Sequence, residues 1–206
     1  MCTLTVHLMD DESNAVPHSV VRLDAAQIRT LAHPLRARLL GLLRVDGPAT
    51  ATTLARLLDT NTGATSYHLR QLADVGLVAE EAELGTSRQR FWRAAHDAST
   101  WRPTDFDDDP DARAAAEWIE GHQVRLMSEQ AELWLAAQPQ APHAWREAAT
   151  ISDAMLTVAP QRLRALNEEI WELIVKYRQD PSFAEEEGAA QVHVFLASFP
   201  RAEELR

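Results

Sequence analysis

Thr62, Gly63, Ser66, Tyr67 and Arg70 fall on one side of the stretch NTGATSYHLRQLADVG, residues 61–76, when it is wound as a helix. Their chemistry is that of groups that hold phosphates and read base edges. Hydroxyls donate to phosphate oxygens, and a guanidinium can grip a phosphate or the edge of a guanine. Small residues near the start keep this face thin enough to enter a groove. Thr65, Leu69 and Leu72 form a narrow apolar stripe on the other side. The same pattern also suits an amphipathic surface helix whose polar residues meet only water, so the stretch alone leaves both readings open.

The surrounding chain must position these residues. Asn61 or Thr62 can cap the helix, because a short side-chain oxygen accepts an otherwise unpaired backbone N–H, and Gly76 suits a left-handed exit. Upstream, Leu23–Ala32 reads as a helix capped by Asp24, and His33-Pro34 separates it from a second helix reaching about Val45. In the second helix Leu35, Leu39, Leu42 and Leu43 should be buried, with Arg36, Arg38 and Arg44 outside. A third, short helix starts at Thr50 or Thr52, with Leu54, Leu57 and Leu58 as core positions, and ends at Asp59. Two helices joined by so short a polar turn make a helix-turn-helix, whose second helix enters the major groove. Downstream, Leu77–Leu84, a turn at Gly85–Arg88 and Gln89–Ala94 read as a β-hairpin carrying Arg88, Arg90 and Arg93. In that position a hairpin is a wing, set to press its tip on phosphates beside the groove.

The net charge of −11 seems to argue against nucleic acid, yet it is unevenly spread. Residues 24–96 hold nine Arg against seven Asp and Glu, whereas residues 97–206 hold ten Lys and Arg against 21 acids. A mildly basic segment on an acidic body suits a local DNA-binding face. The lone cysteine, Cys2, rules out an internal disulfide and points to a reducing compartment. No apolar run approaches the roughly 20 residues needed to span a bilayer, and no Lys or Arg precedes Arg22 as in a secretory signal, so a cytoplasmic protein without a membrane role is expected.

Residues 24–96 resemble the winged helix-turn-helix domain of bacterial ArsR-type regulators. The resemblance is carried by LAHPLRARLLGLL at 31–43, TSYHLRQLADVGLV at 65–78 and GTSRQRFWRA at 85–94. It implies that the helix at 62–75 is the recognition helix, that Thr62, Gly63, Ser66, Tyr67 and Arg70 face the groove, and that the subunits dimerise. Gly63 departs from the larger residue common at that position. Metal-sensing members of the family carry paired cysteines on the preceding helix, or His and acidic pairs on a late one. Here residues 52–59 contain neither Cys nor His, and the eight histidines form no i, i+4 pair, so no metal and no cofactor are expected.

The remainder is less specific. Residues 1–22 read as an N-terminal arm or short strand, and residues 97–110 as a charged linker. Residues 111–206 should hold a long helix over Asp111–Ala137, a short turn carrying Trp145 and a clear helix over Pro160–Arg178. Strands at 154–158 and 191–199 would make a small βαβ-like element with that helix. Trp118, Trp134, Trp145 and Trp171 suit an apolar pocket for a small-molecule effector, or equally a plain core or dimer interface.

The resulting expectation is an α+β, mainly α chain. Its winged helix-turn-helix spans 23–96, and its helical dimerisation or effector region spans 111–206. The expected function is that of a homodimeric transcriptional regulator binding double-stranded DNA at an inverted repeat. Thr62, Gly63, Ser66, Tyr67, Arg70, Arg88 and Arg90 would make the contacts. No nucleophile–base or paired-carboxylate spacing points to an enzyme. The alternative is a winged-helix protein-interaction module without DNA affinity.

Overall fold

The computed structural model describes residues 19–86 and 89–205, side chains excepted at 85, 86 and 89. Cys2, most of the N-terminal arm and Arg88 lie outside these residues. Two compact units divide the chain at Leu126/Met127.

The first unit begins with β1 (Val20–Arg22), followed by α1 (Ala25–Leu31) and α2 (Pro34–Val45). Local chemistry sets both helix starts. Asp24 accepts from the backbone N–H groups of Ala26 and Gln27 while Gln27 reaches back to the Asp24 N–H, a capping box. Pro34 opens α2 behind His33, whose Nδ1 accepts from the Leu35 N–H at 3.1 Å. Beyond α2 come β2 (Ala49–Thr50), α3 (Ala51–Leu57), α4 (Thr62–Asp74), β3 (Val78–Thr86), β4 (Gln89–Ala94) and β5 (Ala98–Thr100). One antiparallel sheet has the order β2-β4-β3, and β1 pairs with β5 in parallel.

The core is built around α2. Ala37 and every residue from Leu39 to Leu43 are buried, and they join Ile28, Leu31, Leu54, Leu58, Leu69, Leu72, Leu77, Val78 and Trp92 in one cluster. Leu35 is only half-buried, and Arg36, expected outside, is half-buried and donates to the Thr30 carbonyl. Two further positions differ more. Leu57 is 49 % exposed because Leu54, Ala55 and Leu58 centre the inward face of α3, which leaves Leu57 on its outer flank. Arg44 is turned inward: its guanidinium donates to the His96 carbonyl at 3.0 Å and to Ser99 Oγ at 2.6 Å, tying α2 to the chain around β5.

Residues 97–110, read from sequence as a linker, do structural work. β5 lies here, Trp101 is 1 % exposed and Phe106 is 4 % exposed, and both belong to the core cluster. Arg22 holds Asp105 at 2.6 Å and Arg29 holds Asp109 at 2.7 Å, so the acidic run has partners that its composition alone does not reveal. α5 (Pro110–Ala137) then starts with Asp109 Oδ1 accepting from the Ala112 N–H, and packs Ala112, Ala115, Ala116 and Ile119 into the same core.

The second unit contains the end of α5, α6 (His143–Ala148) and α7 (Pro160–Gln179). The strands expected at 154–158 and 191–199 are not formed. Both segments lack ladder partners among the described residues, and an alternating pattern becomes a strand only where a neighbour supplies the hydrogen bonds. No described residue from 120 to 205 is fully buried.

Trp101→Ala should lower the stability of the first unit by about 3–5 kcal/mol, the cost of emptying a large buried aromatic site. Denaturant unfolding followed by far-UV circular dichroism measures it, with an unchanged midpoint contradicting the placement of Trp101 in the core.

Candidate nucleic-acid interface

The candidate interface is formed by α3, the turn after it, α4 and the hairpin. Thr50 caps α3 by accepting from the Thr53 N–H at 3.1 Å. The turn reverses through Asp59, whose φ of 49° is left-handed, and the Thr60 N–H closes it on the Ala55 carbonyl at 2.9 Å. Asn61 then caps α4, its Oδ1 accepting from the Ala64 N–H at 2.7 Å. A Cβ at position 63 would stand 3.3 Å from that Oδ1, so the absent side chain of Gly63 leaves room for the cap.

The far end of α4 is equally defined. Gly76 has φ +73°, the Gly76 N–H bonds the Ala73 carbonyl, and the Leu77 N–H bonds the Leu72 carbonyl, each at 2.9 Å. This pair of bonds is a Schellman exit, and it delivers the chain directly into β3. Gln27 Nε2 donates to the Val75 carbonyl at 3.0 Å and anchors the same end to α1.

With both ends held and Thr65, Leu69 and Leu72 each fully buried, the outward face is determined. Thr62, Gly63, Tyr67 and Arg70 are exposed and Ser66 is half-buried. Four of the residues singled out in the sequence converge: Thr62, Ser66, Arg70 and Arg90 line one cleft of about 290 Å³. Thr50, Ala51, Thr52 and Trp92 complete its walls. In sequence Thr50 and Thr52 registered only as helix starters. Their place beside Arg70 follows from β2 pairing with β4, where Ala49 stands opposite Trp92 and Thr50 opposite Phe91. Gly63 and Tyr67 stay outside the cleft. Tyr67, 55 % exposed, sits edge-on to His68 at 5.2 Å.

Two guanidinium groups and four side-chain hydroxyls in one concavity suit an anion of phosphate size. The two arginines are not equivalent. Arg90 Nη1 lies 2.6 Å from Glu80 Oε1, and its neighbour on β4, Arg93, places Nε 3.1 Å from Glu81 Oε2.

A histidine pair joins α4 to the start of α2. The His33 and His68 rings are 4.5 Å apart, and His68 Nδ1 is buried without a hydrogen-bond partner. Burial lowers the pKa of both rings. Arg36 adds to the effect on His33, and the charges of His33 and Arg36 add to the effect on His68. No group of three or more His, Cys, Asp or Glu side chains among the described residues is arranged to hold a metal ion. No helix among them is long and apolar enough to cross a membrane.

Residues 31–81 match the family model of a helix-turn-helix domain, a segment running from the end of α1 into β3 and covering about a quarter of the chain. No curated protein matches the sequence. Among solved structures, a possible transcriptional regulator for arsenical resistance is 27 % identical over 50 % of this chain and 95 % of its own, with a TM-score of 0.31. Lactococcus lactis ZitR in complex with DNA is 15 % identical over 84 % of each chain, with a TM-score of 0.26. A protein of Mycobacterium tuberculosis, RV1404, is 15 % identical over 80 % of this chain and 83 % of its own, with a TM-score of 0.30. Superpositions this loose carry no argument about the present chain. The matched segment and its wing together define the class: a winged helix-turn-helix domain of the kind found in DNA-binding regulators. Its motifs at 31–43, 65–78 and 85–94 resemble those of ArsR-type regulators.

The histidine pair sets a pH dependence. Folding holds both rings below the ordinary value of 6.5, so the unfolded chain takes up protons first as pH falls. Their contribution to stability is complete above that value and is lost as pH falls through it toward the lowered folded values. His96, also lowered chiefly by burial, acts in the same direction. The denaturant midpoint should therefore drop between pH 7.5 and 5.5, and drop less in His68→Gln. Equal losses in the two proteins would exclude His68.

Proposed function

We propose that the protein is a sequence-specific, DNA-binding transcriptional regulator that acts as a homodimer on an inverted-repeat operator. The observation that carries this reading is the α4 face: Thr62, Ser66 and Arg70 open into one cleft on a helix whose opposite side is buried. On this reading α4 lies in the major groove. Arg70 grips a phosphate or a guanine edge, and the hydroxyls of Thr62 and Ser66 donate to phosphate oxygens. Tyr67 and Gly63 complete the groove-facing side, while Arg90, with Arg88, holds the flanking backbone.

The homodimer is supported by apolar surface that one chain leaves uncovered. Val124, Leu133 and Leu135 on α5, and Leu173 and Tyr177 on α7, are each more than half exposed. Surface of this kind marks an interaction site. A two-fold dimer would set two α4 helices about one turn of DNA apart, hence the inverted repeat. We place the protein in the cytoplasm and propose no catalytic role. The second reading, a winged-helix interaction module without DNA affinity, is favoured by the net charge of −11 and by the glutamate partners of Arg90 and Arg93.

Selection from a random duplex pool with the purified full-length protein separates the two readings. An enriched inverted repeat, bound with a steep salt dependence, is the expected result, and no enrichment leaves the interaction module. On the selected site, Arg70→Ala should weaken binding about tenfold or more at fixed salt, in line with loss of a bidentate contact. Light scattering of the free protein should return twice the monomer mass, and a monomer at micromolar concentration would remove the dimer from the proposal.

A further inference from the structure

The hairpin that forms the wing carries as many acids as bases: Glu80, Glu81 and Glu83 against Arg88, Arg90 and Arg93. Its register explains two of the pairings. Glu80 stands opposite Trp92 and Glu81 opposite Phe91, so each acid meets an arginine one diagonal step away on β4. The results are the 2.6 Å contact of Glu80 with Arg90 and the 3.1 Å contact of Glu81 with Arg93. A carboxylate occupies the same guanidinium donors that a DNA phosphate would use. Arg90 also lines the cleft shared with Arg70, so its carboxylate partner stands at the edge of the anion site itself.

We propose that Glu80 is a specificity determinant that acts as an internal stand-in for phosphate. This rests on the DNA-binding reading of the preceding subsection. Non-specific affinity comes from arginine and lysine neutralising phosphates and releasing counterions. An arginine that must first leave a carboxylate adds little to that affinity, and the displaced carboxylate repels the backbone. Binding to arbitrary duplex is thereby weakened, while contacts made from α4 to base edges are untouched. Because the Arg90–Glu80 pair is solvated, with the Arg90 side chain 66 % and that of Glu80 49 % exposed, it opens readily once the groove contacts have seated the domain. The mask therefore acts chiefly on encounters in which those groove contacts are missing.

The test uses full-length wild-type protein and Glu80→Gln, with Glu81→Gln, whose arginine partner lies on the opposite side of β4 from the cleft, as a charge-matched control. Each is titrated with a random-sequence duplex and with the selected operator over a range of salt concentrations. Glu80→Gln should bind the random duplex about three- to fivefold more tightly, the size of an exposed ion pair, and Glu81→Gln should not. The salt slope should steepen by about one per arginine released, and the ratio of operator to random affinity should fall. In an Arg90→Ala background the Glu80→Gln gain should vanish, which separates unmasking of Arg90 from the mere loss of a negative charge. If wild type binds duplex and Glu80→Gln binds with the same affinity and slope, the masking is overturned and the DNA-binding reading stands. A gain that persists in the Arg90→Ala background also overturns it. If neither wild type nor any variant binds any duplex, both fall; duplex binding by Glu80→Gln alone would support the mask in its strongest form.

Discussion

The buried stripe of α4 governs what the domain can present to a partner. Thr65, Leu69 and Leu72 have no exposed surface, and the helix packs on α1, α2 and α3 as well as on the hairpin. A helix held along one whole side has no rotational freedom left, so Thr62, Ser66 and Arg70 face outward by necessity. The two ends remove the remaining uncertainty: the Asn61 cap sets where the helix begins, and the left-handed Gly76 sets the angle at which the wing departs. Much of this depends in turn on α2, which is buried around most of its circumference and forms the floor of the core. Burial of that apolar surface is the main favourable contribution to folding, and the polar face is its by-product.

Electrostatics acts at closer range than the net charge suggests. A chain carrying −11 overall can still offer a cationic cleft, because at physiological salt exposed charges more than about 8 Å apart are largely screened. What matters near the cleft is which arginines already have partners. Arg44 is committed to the His96 carbonyl and Ser99, Arg22 and Arg29 hold the acids of residues 105–109, and Arg90 and Arg93 hold glutamates on β3. The domain's small positive balance is thus divided between structural and interfacial work.

The second unit follows a different logic. α7 has an apolar stripe with helical spacing, yet none of its residues is fully buried, and the segments at 154–158 and 191–199 have no strand neighbours among the described residues. Both features leave apolar side chains exposed among the described residues. This is the physical ground on which the dimer is proposed.

The sequence by itself determined whatever short-range rules govern. The Asp24 and Pro34 starts, the α4 start at Asn61 or Thr62, the Gly76 stop and the Thr65–Leu69–Leu72 stripe could all be read from spacings of one to four residues, and α2 occupies the expected span. The winged helix-turn-helix was legible for the same reason. Tertiary structure alone decided the long-range pairings. β1 meets β5 across 78 residues, Trp101 and Phe106 turn an apparent linker into core, and β2 beside β4 brings Thr50 to Arg70 and Arg90. Leu57, at helical spacing from Leu54, still points outward because a seven-residue helix buries only one narrow side. The pairing of Arg90 with Glu80 depends on strand register, which no local pattern encodes. Propensity and capping act on a residue and its near neighbours, whereas register, burial and ion pairing depend on which distant segments the whole fold brings together.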